Sequence, residues 1–303
     1  MFDVSIVIPC KNEVNNLKKT VDSIMNSENN LSYEIIIVDD SCTDGSCDFI
    51  NKNKEIYKNI KLISALSLGA AGSRNLGATA ALGKYLFFCD AHVSVPDYWL
   101  DTLIKTLEQN NAHIIAPVIK DMIKENSKGY GQTWNKNLEV TWLLNEPKNN
   151  GSEIPIACGC AFGIKKEVFD AIGGFDKYFQ VWGKEDEELC FKSWLFGYKI
   201  ILDTSVEVKH LFRSRHPYQV TYENVIYNFL CMAYSHFSNK NLAKALNIAR
   251  NNYAFSSAAA KIMLNEGLIK QRKEYFNKRK FNEDYFFEKF NISFNNIKTN
   301  KIG

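Results

Sequence analysis

Asp90-Ala91-His92 closes the apolar run Tyr85–Cys89 and sets a carboxylate two residues from an imidazole. On an extended chain, positions i and i+2 project to the same face, so these two side chains could reach one divalent cation. A hard oxygen beside a borderline nitrogen suits Mn²⁺, Mg²⁺ or Zn²⁺. Taken alone, the pair also fits a solvated strand end carrying a surface histidine. Other chemistry-bearing groups follow apolar runs in the same way. Cys10-Lys11-Asn12-Glu13 follows VSIVIP, Asp39-Asp40 follows EIIIV, and His210 ends a second run and opens HLFRSRHPY. Asp39 and Asp40 also fit turn formers. His210 by itself also fits a core or surface histidine, and Arg74 a brace within its own helix.

The elements that must position these groups alternate between strand and helix. Strands are predicted over Val4–Pro9, Glu34–Val38, Lys61–Leu66, Lys84–Cys89 and His113–Val118. Between them come a helix with Val14, Leu17, Val21 and Ile24 on one stripe, a small-residue helix over Gly69–Leu82, and a helix over Pro96–Gln109. This order predicts a doubly wound, mostly parallel α/β sheet, in which ligands bind beyond the carboxyl ends of the strands. Pro9–Lys11, Asp39–Asp40 and Asp90–His92 all fall at those ends. From Lys120 to Glu153 the pattern weakens into an irregular insertion bordering the site. Ile154–Ile164 reads as a strand pressed close to another backbone. Gly173–Gly174 is a turn, and the acidic run Glu185–Glu188 opens a helix that Gly197 ends. Tyr198–Asp203 and Val206–His210 read as two further strands, and the chain is helical from Tyr222. The domain reading is a nucleotide-binding and catalytic unit over 1–220 with a helical extension over 221–303.

Composition narrows the class. The chain has 303 residues, 46% hydrophobic and 23% charged, with a formal net charge of +3, which points to no nucleic-acid partner. No apolar run is long enough to span a bilayer, although peripheral membrane contact stays open. The eight cysteines are scattered, without zinc-knuckle pairing or a disulfide framework, and read as reduced thiols of a cytoplasmic protein. Cys158-x-Cys160 reads as a pair of small packing residues. The basic stretch Lys270–Lys280, interleaved with aromatics, reads as a solvated helix face.

Five blocks in order carry a resemblance: SIVIPCKNE, EIIIVDDSCTDG, FFCDAHVSVPDYWLD, GGFDKYFQVWGKEDEELCFKSWLFG and VKHLFRSRHPY. The chain resembles nucleotide-sugar glycosyltransferases of the GT-A fold, broadly the family 2 enzymes, and in motifs the catalytic domain of polypeptide N-acetylgalactosaminyltransferases. A weaker helical likeness continues through KEYFNKRKFNEDYFFEKF. The resemblance implies a metal-dependent transfer of a hexose or N-acetylhexosamine from a UDP-sugar to a peptide, protein or glycan. Pro9, Lys11, Glu13 and Asp40 would lie around the nucleoside. Asp90, His92 and His210 would hold Mn²⁺ or Mg²⁺, with Ala91 beside the donor. Arg213 and Tyr218 would grip the diphosphate from a closing loop, and Arg74 would stand near it. Trp182, Glu185 and Asp186 would face sugar and acceptor.

The chain departs from those enzymes in one place and in extent. The polypeptide transferases retain anomeric configuration and carry Gly-Glu-Asn where this chain has Lys184-Glu185-Asp186. An aspartate there is similar to inverting GT-A enzymes, in which it deprotonates the acceptor. Asp186 is therefore the expected base, with Glu185 beside it, although a carboxylate at that position also fits helix capping. The chain shows no anchor, stem or lectin segment, which implies a cytosolic acceptor. A non-catalytic nucleotide-sugar or glycan-binding module on the same fold is the alternative. A dinucleotide-dependent oxidoreductase is excluded, because Pro9-Cys10-Lys11-Asn12-Glu13 is no glycine fingerprint.

Overall fold

The computed structural model describes residues 2–124 and 126–294. In chain order the first half comprises β1 (Val4–Cys10), α1 (Leu17–Asn26), β2 (Tyr33–Asp40), α2 (Asp48–Lys52), β3 (Ile60–Ala65), α3 (Gly69–Thr79), β4 (Tyr85–Cys89), β5 (Val93–Ser94), α4 (Trp99–Gln109) and β6 (Ile114–Asp121). Short strands follow: β7 (Lys128–Gly129), β8 (Gln132–Trp134), β9 (Val140–Trp142) and β10 (Ser152–Glu153). Then come β11 (Ala161–Lys165), α5 (Lys166–Ile172), α6 (Glu185–Leu195) and β12 (Ile200–His210). The chain continues through α7 (Tyr222–His236), α8 (Asn239–Ala249), α9 (Phe255–Met263), α10 (Glu266–Lys278) and α11 (Glu283–Lys289).

The main sheet runs β10-β12-β6-β11-β4-β1-β2-β3, with β5 on β12 and β7 on β6. Pairings β4-β1-β2-β3 and β6-β12 are parallel, whereas β11 lies antiparallel between β4 and β6. Side-chain alternation divides the core between the two faces. Ile6 and Ile8 pack with α1 and α4 through Leu17, Val21, Trp99 and Leu103. Val7, Phe88 and Phe162 pack with α3, α5, α6 and the C-terminal helices. Helix α6 sits deepest: from Glu187 to Leu195 every residue is buried.

Several sequence expectations are corrected. Val14 lies in the turn before α1 and is half exposed, so the apolar stripe starts at Leu17. Helix α4 starts at Trp99 rather than Pro96, and the unanticipated α2 follows the SCTDG turn. Of the expected Ile154–Ile164 strand only the stretch from Ala161 falls in β11, which runs one residue further, to Lys165. The close neighbour there is a ring, not a backbone: a Cβ on Gly163 would stand 2.5 Å from Phe87, its cross-strand partner. The two strands expected over 198–210 are one, β12, with its register shifted between Asp203 and Glu207. Asp203 Oδ1 accepts the N–H groups of Ser205 and Val206 at 2.7 and 3.2 Å, and this turn produces the bulge.

Candidate active site

One cavity of about 610 Å³ opens at the carboxyl ends of β1, β2 and β4, a volume ordinary for small-molecule sites. Each residue that the sequence proposed for metal, donor or catalysis lines it, from Pro9 to Tyr218; Asp39 does not.

At the floor, the antiparallel pairing of His210 with Val93 brings the end of β12 beside the end of β4. Leu211 N–H donates to His92 O at 3.1 Å and locks this register. The His92 and His210 rings stand 4.8 Å apart, and their nitrogens lie within 4.8 Å of an Asp90 oxygen. His210 Nε2 is 3.4 Å and His92 Nε2 3.9 Å from Asp90 Oδ2. Both His210 ring nitrogens are buried without a hydrogen-bond partner. A buried polar atom left unpaired is costly, and two imidazoles plus a carboxylate around one point make a donor set for a divalent cation. The residues present fit a metal.

Arg74, buried on α3, holds Asp90 from behind. Its guanidinium donates to Asp90 Oδ1 at 2.8 Å, Glu185 Oε1 at 3.1 Å and Gly159 O at 3.2 Å. Burial would raise the Asp90 carboxyl, but His210, Arg74 and His92 outweigh it and hold Asp90 well below the usual carboxylate range. Glu185 shifts the other way, pushed up to about 7 by burial, with Arg74 opposing and Asp186 adding repulsion. One guanidinium serves both carboxylates, and the more buried takes the proton first.

The wall at the ends of β1 and β2 is braced through Glu13. Glu13 Oε1 accepts from Arg213 at 2.7 Å and stands 3.3 Å from His92 Nδ1. Arg213 Nη2 lies 3.4 and 3.5 Å from the two His92 nitrogens, across the imidazole. Asp40 is turned toward α3: its carboxylate accepts the N–H of Leu68 at 2.6 Å and of Gly69 at 3.1 Å. Lys11 Nζ donates to Asp40 O at 2.9 Å. Above the floor, the segment after β12 folds over, with the His216 ring 4.4 Å from Trp182 and Phe212 4.4 Å from His210. Trp142 of the insertion meets Phe212 at 5.8 Å, so the insertion borders the site as expected.

On the opposite wall, Asp186 Oδ2 accepts Gly159 N–H at 2.8 Å and Oδ1 accepts Glu187 N–H at 2.9 Å. Glu187 is buried with Lys184 at 2.9 Å and the Trp134 indole N–H, fixing the first turn of α6. The sequence assigns no role in the site to Gly159, His216, Phe212 or Trp142. Only His216 and Phe212 lay in a noted block, and Gly159 acts through its backbone, which leaves no side-chain signal.

Comparisons with known proteins agree with this geometry. Residues 5–173 match glycosyl transferase family 2, and residues 145–217 match the N-terminal domain of galactosyltransferase. Polypeptide N-acetylgalactosaminyltransferase 11 of Xenopus tropicalis is 30% identical over 237 residues, covering 71% of this chain and 39% of that protein. Polypeptide N-acetylgalactosaminyltransferase 8 of Drosophila melanogaster is 32% identical over 245 residues, 73% of this chain and 40% of that protein. The chain thus spans about two fifths of these relatives' length. In fold, GalNAc-T7, crystallised with UDP, GalNAc and Mn²⁺, has a TM-score of 0.74 at 20% identity, covering 96% of this chain and 57% of that one. S. aureus TarS 1–349 with UDP-GlcNAc has a TM-score of 0.60 at 14% identity, covering 90% and 79%. The strand-end cavity, the five ordered blocks and the match over more than half its length together make the chain a member of glycosyl transferase family 2.

Proposed function

We propose that this protein is a metal-dependent glycosyltransferase that moves a hexose or N-acetylhexosamine from a UDP-sugar to a hydroxyl of a peptide, protein or glycan. The observation that carries the reading is the Asp90–His92–His210 cluster, with both His210 nitrogens buried and without a hydrogen bond at the floor of the cavity. Asp90, His92 and His210 would hold Mn²⁺ or Mg²⁺, which when bound supplies Lewis-acid neutralisation of a leaving diphosphate. Arg213 and Tyr218 bind that diphosphate from the segment after β12, and an arginine there adds a bidentate contact. Lys11 and Asp40 form the nucleoside wall, and Trp182 covers the sugar. Arg74 and Glu185 keep Asp90 oriented from below.

Asp186 is the base of this reading. Two backbone N–H groups fix its carboxylate at the start of α6, and each oxygen keeps a lone pair for the acceptor proton. The expected outcome is inversion at the anomeric carbon. Helices α7–α11 form an extension behind α6. The eight unpaired thiols support a reducing compartment such as the cytoplasm. Among the described residues no helix is long and apolar enough to cross a membrane.

The test is UDP release and sugar transfer with and without Mn²⁺, across UDP-GalNAc, UDP-GlcNAc, UDP-Gal and UDP-Glc, beside Asp186→Asn. Mn²⁺-dependent turnover of one donor, lost in Asp186→Asn while UDP still binds, is the expected result. Absence of Mn²⁺-dependent UDP binding in the unaltered protein refutes the assignment.

A further inference from the structure

Cysteines that their spacing scatters are gathered by the fold at one edge of the cavity wall. Cys10 ends β1, Cys42 lies in the loop after β2, and Cys47 immediately precedes α2. Their sulfurs all lie within 4.8 Å of one another, and Cys10 Sγ is 3.6 Å from Cys42 Sγ. Tetrahedral zinc with Zn–S bonds of about 2.3 Å sets neighbouring sulfurs about 3.8 Å apart. The observed spacing therefore lets one thiophilic cation touch all three with small side-chain adjustments.

Two further contacts distinguish this cluster from thiols that merely fill space. Asn12 N–H points at Cys42 Sγ at 3.2 Å, a donor suited to an anionic sulfur. Asp39 Oδ1 accepts Cys42 N–H at 2.8 Å and fixes the loop that holds Cys42 beside Cys10. A disulfide would use two of the sulfurs and leave the third in contact without a partner.

We propose that Cys10, Cys42 and Cys47 bind one zinc ion as thiolates, at a structural site distinct from Asp90–His92–His210. Donor chemistry separates the two: sulfur selects a soft or borderline ion, whereas the carboxylate–imidazole set accepts Mn²⁺. On binding, the thiols lose their protons to solvent and form zinc–sulfur bonds, with no change of oxidation state. The site ties together the loops after β1 and β2, next to Lys11, Glu13 and Asp40 of the cavity wall. Those loops are already cross-braced by Glu13 N–H to Ser46 Oγ at 2.6 Å, Thr43 N–H to Asn12 Oδ1 at 2.9 Å and Val14 N–H to Asp44 Oδ2 at 3.0 Å. The zinc is the clamp at the centre of that brace.

The experiment measures zinc by elemental mass spectrometry on the full chain purified without chelator, then replaces it with Co²⁺ and records thiolate-to-cobalt charge-transfer absorbance. About one zinc per chain, with that absorbance, is expected. Zinc should be lost in Cys47→Ser, checked for native circular dichroism, and kept in the His92→Ala/His210→Ala double variant. A zinc-free chain that gives no cobalt–thiolate band overturns the proposal. So does full zinc retention in Cys47→Ser, or a Cys10–Cys42 disulfide found after alkylation of the native protein. If Cys47→Ser does not fold, the Co²⁺ spectrum of the unaltered chain still decides. None of these readouts depends on UDP, so their failure leaves the sugar-transfer reading standing.

Discussion

Arg74 should control metal affinity by geometry rather than charge, and substituting it by lysine isolates the two. The guanidinium occupies Asp90 Oδ1 and leaves Oδ2 turned toward His210 and His92. Lysine keeps the positive charge but, as a single point donor, cannot hold Asp90, Glu185 and the Gly159 carbonyl in one plane. Losing a partner that orients a ligand costs about 10–100-fold in metal affinity, and we expect that loss for Mn²⁺ in Arg74→Lys. Arg74→Met removes the charge as well and leaves two carboxylates sharing a buried site. Breaking a buried pair in this way costs about 3–5 kcal/mol. Asp90 keeps 24% side-chain exposure, so the lower end applies. Mn²⁺ titration by calorimetry or electron paramagnetic resonance reads the first effect, and urea unfolding followed by circular dichroism reads the second. If Arg74→Lys binds Mn²⁺ within a factor of about two of the unaltered chain, the orienting role assigned from this geometry is wrong.

Other expectations follow from groups away from Asp90, His92 and His210. Asp176 is raised to about 6 by burial and then by Glu188, above its usual 3.8. A carboxyl whose folded pKa is raised favours folding at low pH, and that share is lost as pH climbs through about 6. Relative to Asp176→Asn, the unaltered chain should lose on the order of 3 kcal/mol of stability between about pH 4 and about pH 7; parallel stability–pH curves from denaturant titrations would contradict this. Gly69→Ala should lower both the melting temperature and UDP affinity. Gly69 has φ +73°, and an added Cβ would meet Val181 O at 2.7 Å, so the cost should exceed the about 1–2 kcal/mol of left-handed strain. Gly69 N–H also holds Asp40. Unchanged melting and UDP titration curves would remove Gly69 from the donor wall.

Some of the site was legible because its causes are local. Asp90 and His92 follow from strand periodicity and the end of an apolar run, and the acidic opening of α6 marks its helix start. His210 is different: its place beside His92 depends on the β5–β12 pairing, which joins distant segments and has no signature in either. Asp203 shows how a local cue misleads. The sequence predicts one strand ending at Asp203 and another from Val206, yet parallel pairing with β6 on both sides of the bulge carries a single strand through. The direction of β11 was hidden because an apolar run has the same pattern whichever way it enters the sheet. The hydrogen bonds of Asp40 were hidden for a similar reason: a strand-end carboxylate looks unoccupied in sequence, but the start of α3 folds onto it while Asp40 still lines the cavity.

Helix α6 is gripped at two levels. Two residues beyond Asp186, Glu188 Oε1 lies 2.7 Å from the buried His236 ring, and Lys192 donates to Gly174 O at 2.7 Å and to Glu188 at 3.2 Å. Gln271 of α10 reaches Asp176 at 2.7 Å behind the same helix. No residue of α7–α11 lines the cavity. The C-terminal helices thus form a frame that holds α6 from behind, outside the cavity. A deletion map of this protein would mark the stretch around His236 and Gln271 as indispensable, and that result would report alignment of the machinery rather than chemistry.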